Sequence, residues 1–593
     1  MKTSSVSGKN WIIKKYNHET ANYLKDNFNL SEIISRLLSI RNIKIEEVNL
    51  FLNPRIKNLL PNPFILKDME KSVNRTIKAI LSKEKIGIFG DYDVDGATST
   101  ALLGNYFNKL GQFSSIYIPD RKKEGYGPNP QGFNKLISEG SSVIFTVDCG
   151  TMSFDTINSL KDKIDVIVLD HHQSEIKLPK AFSVVNPNRF DDNSKLNYLC
   201  AAGVCYMFLI ALNKKLRDLK WFEKNHIKEP NLIDFLDLVS LGTVCDVVPL
   251  VGLNRAFVSQ GLKIINKISN PGLKILKNIC GIETNLNTYH LGYVLGPRIN
   301  AGGRVGKCSH GANLLLSKDP KEVFTIASEL ENFNNERKFL EKDMFNKIEK
   351  KIVLDPNEPV TVLSGHNLHG GIIGIIASRL KDKFNKPTII ISISNGVGKA
   401  SARSIYGFDI GTFIINAVQK NILMSGGGHK MAAGFSIKEE KIEEFKDFIN
   451  KCFLKIKKDL KKNDEIFYDS IISPSALNEN FYHEINSLSP FGSGNPEPRF
   501  VIENLEILRS SIVGEKHIKS VLAGDDGSTV KSVTFNAVST NLQSYLLANN
   551  RKKINIFGKL SLNEWKGKKN VEFIIDDISV NKTIKNLVPS SNG

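Results

Sequence analysis

The 593-residue chain contains no uninterrupted apolar run of the roughly eighteen residues that a membrane helix needs. Its opening stretch, MKTSSVSGKNW, has no apolar core of the signal-peptide kind. These absences argue against a membrane span and lead us to expect a cytoplasmic protein. The seven cysteines (Cys149, Cys200, Cys205, Cys245, Cys280, Cys308, Cys452) form no C-x-x-C pair, which argues against a zinc ribbon and fits reduced thiols. Acidic residues are in short supply: 62 Asp and Glu stand against 80 Lys and Arg, a net charge of +18. That excess suits a polyanionic partner, although a solvated, lysine-rich surface gives the same total. Hydrophobic and charged fractions of 41% and 24% are ordinary for a globular protein. The length divides into roughly three or four domains at about 150 residues each.

Apolar strands alternate with helical stretches from about residue 80 to 250, as KIGIFG, SSIYI, SVIFTVDCG, DVIVLDHH and FSVVN. This alternation predicts a parallel α/β sheet. The preceding segment, with SEIISRLLSI and KSVNRTIKAILSK, reads as mostly helical. Residues 319–353 contain no Pro beyond the second position and no Gly, and they repeat apolar residues at helical spacing, so a long linking helix is expected there. A second α/β unit comes next, with PVTVLSG and PTIIISIS as strands around the helix IIGIIASRLKDKF. In the last part, HIKSVLAGDDGSTVKSVTFN and INIFGKLSLNEWKGKKNVEFIIDDI read as hairpins with Asp-Gly and Lys-Gly turns, a pattern that suits a small antiparallel barrel. The expected division is therefore a helical region at 1–79, a parallel-sheet domain at 80–318, the linking helix at 319–353, a second α/β domain at 354–460 and a β-barrel at 461–593.

Chemistry gathers where the first set of strands ends. KIGIFG runs into Asp91, Asp93 and Asp95, alternate positions that share a face if the segment is extended. SVIFTVDCG ends in Asp148, and DVIVLDHHQ in Asp170, His171 and His172. The helix-like NLIDFLDLVSLGTVCDVVPL delivers Asp246 after a Gly-Thr turn. A D-x-D-x-D alone is as readily a solvated loop, and paired histidines can be one core and one surface residue. In an open parallel sheet, however, ligands bind outside the carboxyl ends of the strands, so Asp91, Asp93, Asp95, Asp148, His171, His172 and Asp246 can converge. Like charges brought together need a cation. Carboxylates with imidazoles and no thiolate suit manganese or magnesium. So many ligands point to two ions about 4 Å apart, the arrangement used for in-line displacement at phosphorus. Cys149 and Cys245 flank carboxylates but read as packing thiols.

The second α/β unit carries phosphate-handling signals: Arg379 on its helix, Ser401 and Arg403 in GKASARSIYGFDI, and His429 after three glycines in SGGGHKMAAGF. Glycine permits close backbone approach, and Arg offers bidentate phosphate contacts. GPRINAGGR, with Arg298 and Arg304, and IPDRKKEGYG, with Arg121, read as loops of the same kind.

In this order, GDYDVDG, TVDCG, LDHH, GTVCDVVPL, GPRINAGGR and GGGHKMAAGF resemble the DHH phosphoesterase superfamily, and within it the bacterial single-strand-specific 5′-to-3′ DNA exonucleases. PFGSGNPEPRF and LSLNEWKG resemble the tail of that branch, so the likeness covers nearly the whole chain. Tyr406, where Pro is usual, and Ser493, which interrupts PFGPGNPEP, are its departures. The resemblance implies a DHH catalytic domain, a DHH-associated domain joined by the long helix, and an OB-fold. It implies metal-ligand roles for Asp93, Asp95, Asp148, His171 and Asp246. Asp91 and His172 are open between ligand and orienting residue. His172, Arg379 and His429 form the expected catalytic group, with the last two neutralising charge on the scissile phosphate. Arg121, Arg298, Arg304, Ser401 and Arg403 are expected to bind substrate phosphate. Trp565 and Phe535 are candidates for stacking on bases, or equally for barrel core. The expected function is two-metal hydrolysis of single-stranded DNA to mononucleotides in repair and recombination. The expected partners are single-stranded DNA, a single-strand-binding protein and a helicase, around a monomeric enzyme. A DHH phosphatase acting on short oligonucleotides would lack the last domain, and a catalytically dead DHH scaffold would lack the carboxylates.

Overall fold

The computed structural model describes residues 5–121, 123–267, 270–351, 358–366, 368–456, 464–548, 553–565 and 568–580. It divides into two units: Pro61–Val248 with Gly261–Lys461, and Met1–Leu60 with Pro249–Gln260 and Lys462–Gly593. Among the described residues, no helix is long and apolar enough to cross a membrane.

The first of these units contains two sheets. One is fully parallel, in the order Ser114–Tyr117, Lys85–Gly90, Ser141–Val147, Asp165–Leu169, Ser183–Val185. Ile86, Ile88, Phe89, Ile144, Phe145, Val147 and Val166 to Leu169 are all buried, which is why these strands read as apolar runs rather than alternating patterns. The order reverses between the strands Lys85–Gly90 and Ser141–Val147. That reversal opens a crevice at their carboxyl ends.

The other sheet is mixed, in the order Ser425–His429, Ala432–Lys438, Val397–Arg403, Thr388–Ser394, Thr361–His366. Only the last pair is parallel, with the helix Ile373–Phe384 as its crossover. SGGGH is thus an edge strand rather than the loop expected from its glycines. A helix of 32 residues, Pro320–Lys351, lies between the two sheets in sequence and spans about 48 Å. Val323, Ile326, Ala327, Leu330, Asn334, Glu341 and Met344 on it are buried. Two buried polar residues on that face require partners.

In the other unit, the strands Phe500–Val513, His517–Ala523, Thr529–Thr534, Lys568–Val580 and Ile554–Trp565 pair in that order, and the last returns to the first, closing a five-stranded barrel. Closure bends the chain at a register shift between Phe557 and Gly558, where a Cβ on Gly558 would lie 1.9 Å from the Ile574 carbonyl oxygen. The α/β multidomain architecture with a terminal barrel therefore holds. The Lys-Gly turn read at 566–567 lies outside the described residues. The N-terminal segment is not only helical: Asn10–Ile13 forms a strand parallel to Glu465–Tyr468. Leu24, Ile34, Leu37 and Leu38 from its helices join the same apolar cluster as Phe500, Ile502 and Ile556 of the barrel. Arg255, only 2% exposed, donates to the carbonyls of Phe51, Leu488, Ser489 and Pro490, with its guanidinium 3.8 Å from the Phe51 ring centroid. These bonds meet the requirement that a buried donor be satisfied.

Candidate metal centre and phosphate pocket

Asp91 comes directly after the strand Lys85–Gly90, but the chain turns into a helix within three residues. Asp93 is the N-cap of the helix Val94–Lys109 and accepts from the Gly96 amide at 3.0 Å, while Asp95 sits in the first helical turn. This corrects the expectation that three aspartates share one face of an extended segment: a side chain that caps a helix bends the chain at that point. The turn also needs Gly96, since a Cβ there would lie 2.5 Å from the Asp91 carbonyl oxygen. Asp95 is pinned by the start of the helix Ala201–Asp218, its two oxygens accepting from the Ala201 and Ala202 amides at 2.6 and 2.9 Å.

Asp148 ends the neighbouring strand with φ at 60°, in the left-handed region. Asp246 is the C-cap of the helix Leu236–Cys245, so Gly242 and Thr243 lie inside a helix and not in the expected turn. Val247, directly after it, also has a left-handed φ of 61°. For a β-branched residue that conformation is strained, and such strain clusters at functional sites.

These elements bring the predicted ligands together. His171 Nε2 lies 3.3 Å from Asp148 Oδ1, 3.6 Å from Asp246 Oδ2 and 3.8 Å from Asp95 Oδ2. Three sets of side chains have ligand atoms within 4.8 Å of one another: Asp148, His171 and His172; Asp95, His171 and Asp246; Asp91, Asp93 and Asp148. Asp148 and His171 each belong to two sets. Burial first, and then the neighbouring carboxylates, hold Asp91 and Asp148 well above the usual carboxylate range. Burial and the nearby aspartates also raise Asp95, and they push Asp246 up to about 9. Burial lowers His171, which keeps its ring neutral with a lone pair to offer. Asp91 Oδ1 is buried and has no hydrogen-bond partner. Oxygen-rich sets with a neutral imidazole and an orphaned carboxylate oxygen fit a hard divalent cation.

Behind this cluster, the first residue of the DHH triplet acts as an organiser. Asp170 is 1% exposed; Oδ1 accepts from the His171 and His172 amides and from His172 Nδ1, the last at 2.8 Å, and Oδ2 accepts from the Thr151 amide. Burial alone would lower His172, but the charge and hydrogen bond of Asp170 outweigh it and raise the imidazole to about 9. The Tyr126 hydroxyl lies 3.2 Å from His172 Nε2 and donates to the Asp148 carbonyl at 3.3 Å. Neither Tyr126 nor the orienting role of Asp170 is singled out by the sequence reading. The signal for Tyr126 is its place between Gly125 and Gly127, which both adopt positive φ and shape the turn that carries it.

A cationic cluster adjoins the carboxylates. Burial, followed by the charges of Arg121, Arg337 and Arg403, pushes Arg304 down to about 10. Arg403 is lowered by burial and by Arg121. Ser401 and Arg403 share a strand face, joined by a 3.1 Å bond from Arg403 Nη1 to Ser401 Oγ. Arg304 Nη1 donates to the Gly371 carbonyl, and the Arg121 guanidinium lies 5.3 Å from the Tyr92 ring. Arg304 belongs to a helix, Gly296–Val305, and not to the loop expected from GPRINAGGR. The other predicted cations are placed differently. Arg298 pairs with Glu331, and Arg379 with Glu341 at 2.6 Å; Glu341 also takes Arg337 at 2.8 Å. Both carboxylates come from the long helix Pro320–Lys351. His429 is exposed on its edge strand. Trp565 ends a barrel strand and its side chain lies outside the described residues, whereas Phe535 is exposed and edge-on to His517.

The same regions have counterparts in known proteins. Residues 85–243 match the DHH family, N-terminal domain; residues 357–455 match the DHHA1 domain; residues 468–577 match the RecJ OB domain. The single-stranded-DNA-specific exonuclease RecJ of Bacillus subtilis is 32% identical over 587 residues, covering 96% of this chain and 71% of that protein. RecJ of Escherichia coli is also 32% identical, over 564 residues, covering 93% of this chain and 96% of that protein. Among solved structures, RecJ from Thermus thermophilus in complex with Mn2+ superposes with a TM-score of 0.78 at 27% identity, covering 96% of this chain and 79% of that one. The corresponding Mg2+ complex gives a TM-score of 0.74 at 26% identity.

Proposed function

The chain belongs to the RecJ family, and from that premise we propose that it hydrolyses single-stranded DNA from the 5′ end with two divalent cations, manganese or magnesium. The observation that carries this reading is the meeting of Asp91, Asp93, Asp95, Asp148, His171 and Asp246 at the sheet's reversal point, beside the cluster of Arg121, Arg304, Ser401 and Arg403. The ions, when bound, supply an activated water and neutralise charge on the phosphoryl oxygens.

The protein's own groups do the rest. Asp148 and His171, each in two ligand sets, are among the residues that would hold the ions. Asp170 fixes the His172 ring, which holds a proton at Nε2 beside Tyr126 and the scissile linkage. Arg121, Arg304 and Arg403 bind phosphate oxygens, with Ser401 as a further donor. Glu341 keeps Arg337 and Arg379 together, so Arg379 is engaged by a carboxylate and not assigned to the phosphate. The test is digestion of end-labelled single- and double-stranded DNA with Mn2+ or Mg2+. Single strands should disappear at least about a hundredfold faster than blunt duplex; equal rates would overturn the substrate assignment.

The raised carboxylates give a second expectation. A group whose folded pKa exceeds its unfolded value near 4 keeps its proton in the folded state while the unfolded chain has lost it, so stability falls as pH rises towards the folded value. Asp91, Asp95, Asp148 and Asp246 all have this sign, and for Asp246 the window extends to about 9. His172, raised to about 9, works in the same direction, as its stabilisation is lost through that range. A bound cation replaces the protons. The rise in melting temperature on adding Mn2+ in place of a chelator should therefore grow between pH 6 and 9. A rise independent of pH would show that these carboxylates are not the ligands.

A further inference from the structure

The chain enters the helix of Arg298 and Arg304 through a π-helical segment, His290–Leu295. Such wide turns are rare and frequently mark functional positions. Here one face is anchored and the other is bare. Leu291 and Leu295 are buried. Cys245 Sγ donates to the Leu291 carbonyl at 3.3 Å, and a Cβ on Gly296 would lie 2.5 Å from that sulfur. The segment is therefore seated on the last residue of the helix that delivers Asp246. On the bare face, Tyr289 and Tyr293 stack with ring centroids 5.4 Å apart and planes inclined by 24°, yet they are 60% and 75% exposed. His290 sets its ring edge-on to Tyr289, with centroids 5.8 Å apart.

Two large aromatic rings stacked in water, on a segment seated against Cys245 beside Asp246, offer a surface for an occupant with a flat apolar face. Inside a duplex both faces of each base are covered by its neighbours, whereas an unpaired base can turn one outward. Base–aromatic stacking is strong and tolerant of sequence. The chain as a whole carries an excess of positive charge, which suits a polyanionic strand. We propose that Tyr289 and Tyr293 form a stacking platform for unpaired bases of the substrate strand, a few nucleotides from the scissile linkage. This inference rests on the single-stranded-DNA reading and adds a reason for the preference: the platform accepts bases that a duplex withholds.

The test compares hydrolysis, with Mn2+, of a 5′-phosphorylated dinucleotide, which fills only the phosphate pocket and the scissile linkage, with that of a 5′-phosphorylated oligo(dT) 15-mer. The pair Tyr289→Ala and Tyr293→Ala should raise KM for the 15-mer roughly tenfold or more and leave the dinucleotide unchanged. Tyr289→Phe with Tyr293→Phe, which keeps the rings, should behave as wild type. A 15-mer with one abasic position scanned along it should lose affinity for the wild type at one or two positions and lose nothing further for the alanine pair. Equal loss on both substrates, no loss on either, or phenylalanine variants as weak as alanine would overturn the platform. If the wild-type protein cleaves neither substrate and does not bind the 15-mer, the exonuclease reading falls and the platform with it. If the wild type cleaves and the alanine pair matches it, the platform alone falls.

Discussion

Replacing Asp148 or His171 by alanine should abolish hydrolysis while leaving the fold in place. Each residue belongs to two of the three sets of converging ligand atoms, so losing either one takes a ligand atom from two sets at once. Loss of one ion's charge stabilisation removes several kcal/mol from the transition state, and each ~1.4 kcal/mol is a factor of ten, so a fall of about 10³-fold or more is expected. The fold should survive because of the sign of the local electrostatics. Asp148 is buried, and burial together with Asp93, Asp95, Asp91 and Asp246 disfavours its charge. Alanine removes a buried group whose charged form is disfavoured there, so the chelated Asp148→Ala protein should melt no lower than chelated wild type. Asp170→Asn separates organiser from ligand: it weakens the hold on His172 and should slow turnover less than Asp148→Ala does. Near-normal Mn2+-dependent activity in a well-folded Asp148 or His171 variant would refute this metal centre.

The meeting of Asp91, Asp148 and His171 is readable in the sequence because buried parallel strands appear as unbroken apolar runs, and the residues just past such a run lie at the sheet's carboxyl edge. The local shape of those ends is not readable. That Asp93 caps a helix, or that Gly242 and Thr243 continue one, depends on Gly96 and Gly242 fitting against Asp91 and Asp95, contacts that strand periodicity does not encode. Glycine-rich GPRINAGGR and SGGGH read as loops, yet one is helix and the other edge strand, because close packing and not turning is what their glycines serve. A Cβ on Gly303 would lie 3.1 Å from the Tyr92 carbonyl oxygen, and one on Gly428 would lie 2.4 Å from that of Ala432. The assignment of Arg298 and Arg379 to substrate phosphate does not foresee Glu331 and Glu341, partners supplied by a helix distant in sequence. A buried Glu341 cannot be told from a solvated one by charge pattern alone.

Those pairings narrow the phosphate pocket and sharpen the expectation about polarity. Arg298 and Arg379 are already engaged by carboxylates, whereas Arg304 and Arg403 are lowered by burial and then by the charge of Arg121, and Arg403 bonds to Ser401. Three guanidinium groups held together in this way are relieved by a dianion, and a terminal phosphate monoester carries nearly two charges where an internal phosphodiester carries one. The pocket should therefore prefer a strand end, and the polarity proposed above makes that the 5′ end. An anchored terminus sets the next linkage at a fixed short distance from the carboxylate cluster, so the products should be mononucleotides. Arg403→Ala removes a charge-assisted donor and should cut the preference for 5′-phosphorylated over 5′-hydroxyl strands roughly ten- to hundredfold, while a lysine-to-alanine change on the open surface should weaken both alike. Arg403→Lys should recover only part of the preference, because an ammonium keeps the charge and loses the bidentate fork. Strands blocked at one end decide the matter: a 3′ block should leave degradation intact and a 5′ block should stop it. Degradation that persists past a 5′ block and halts at a 3′ block would reverse the polarity and remove the terminal phosphate from this pocket, whatever the alanine variants of the carboxylate cluster show.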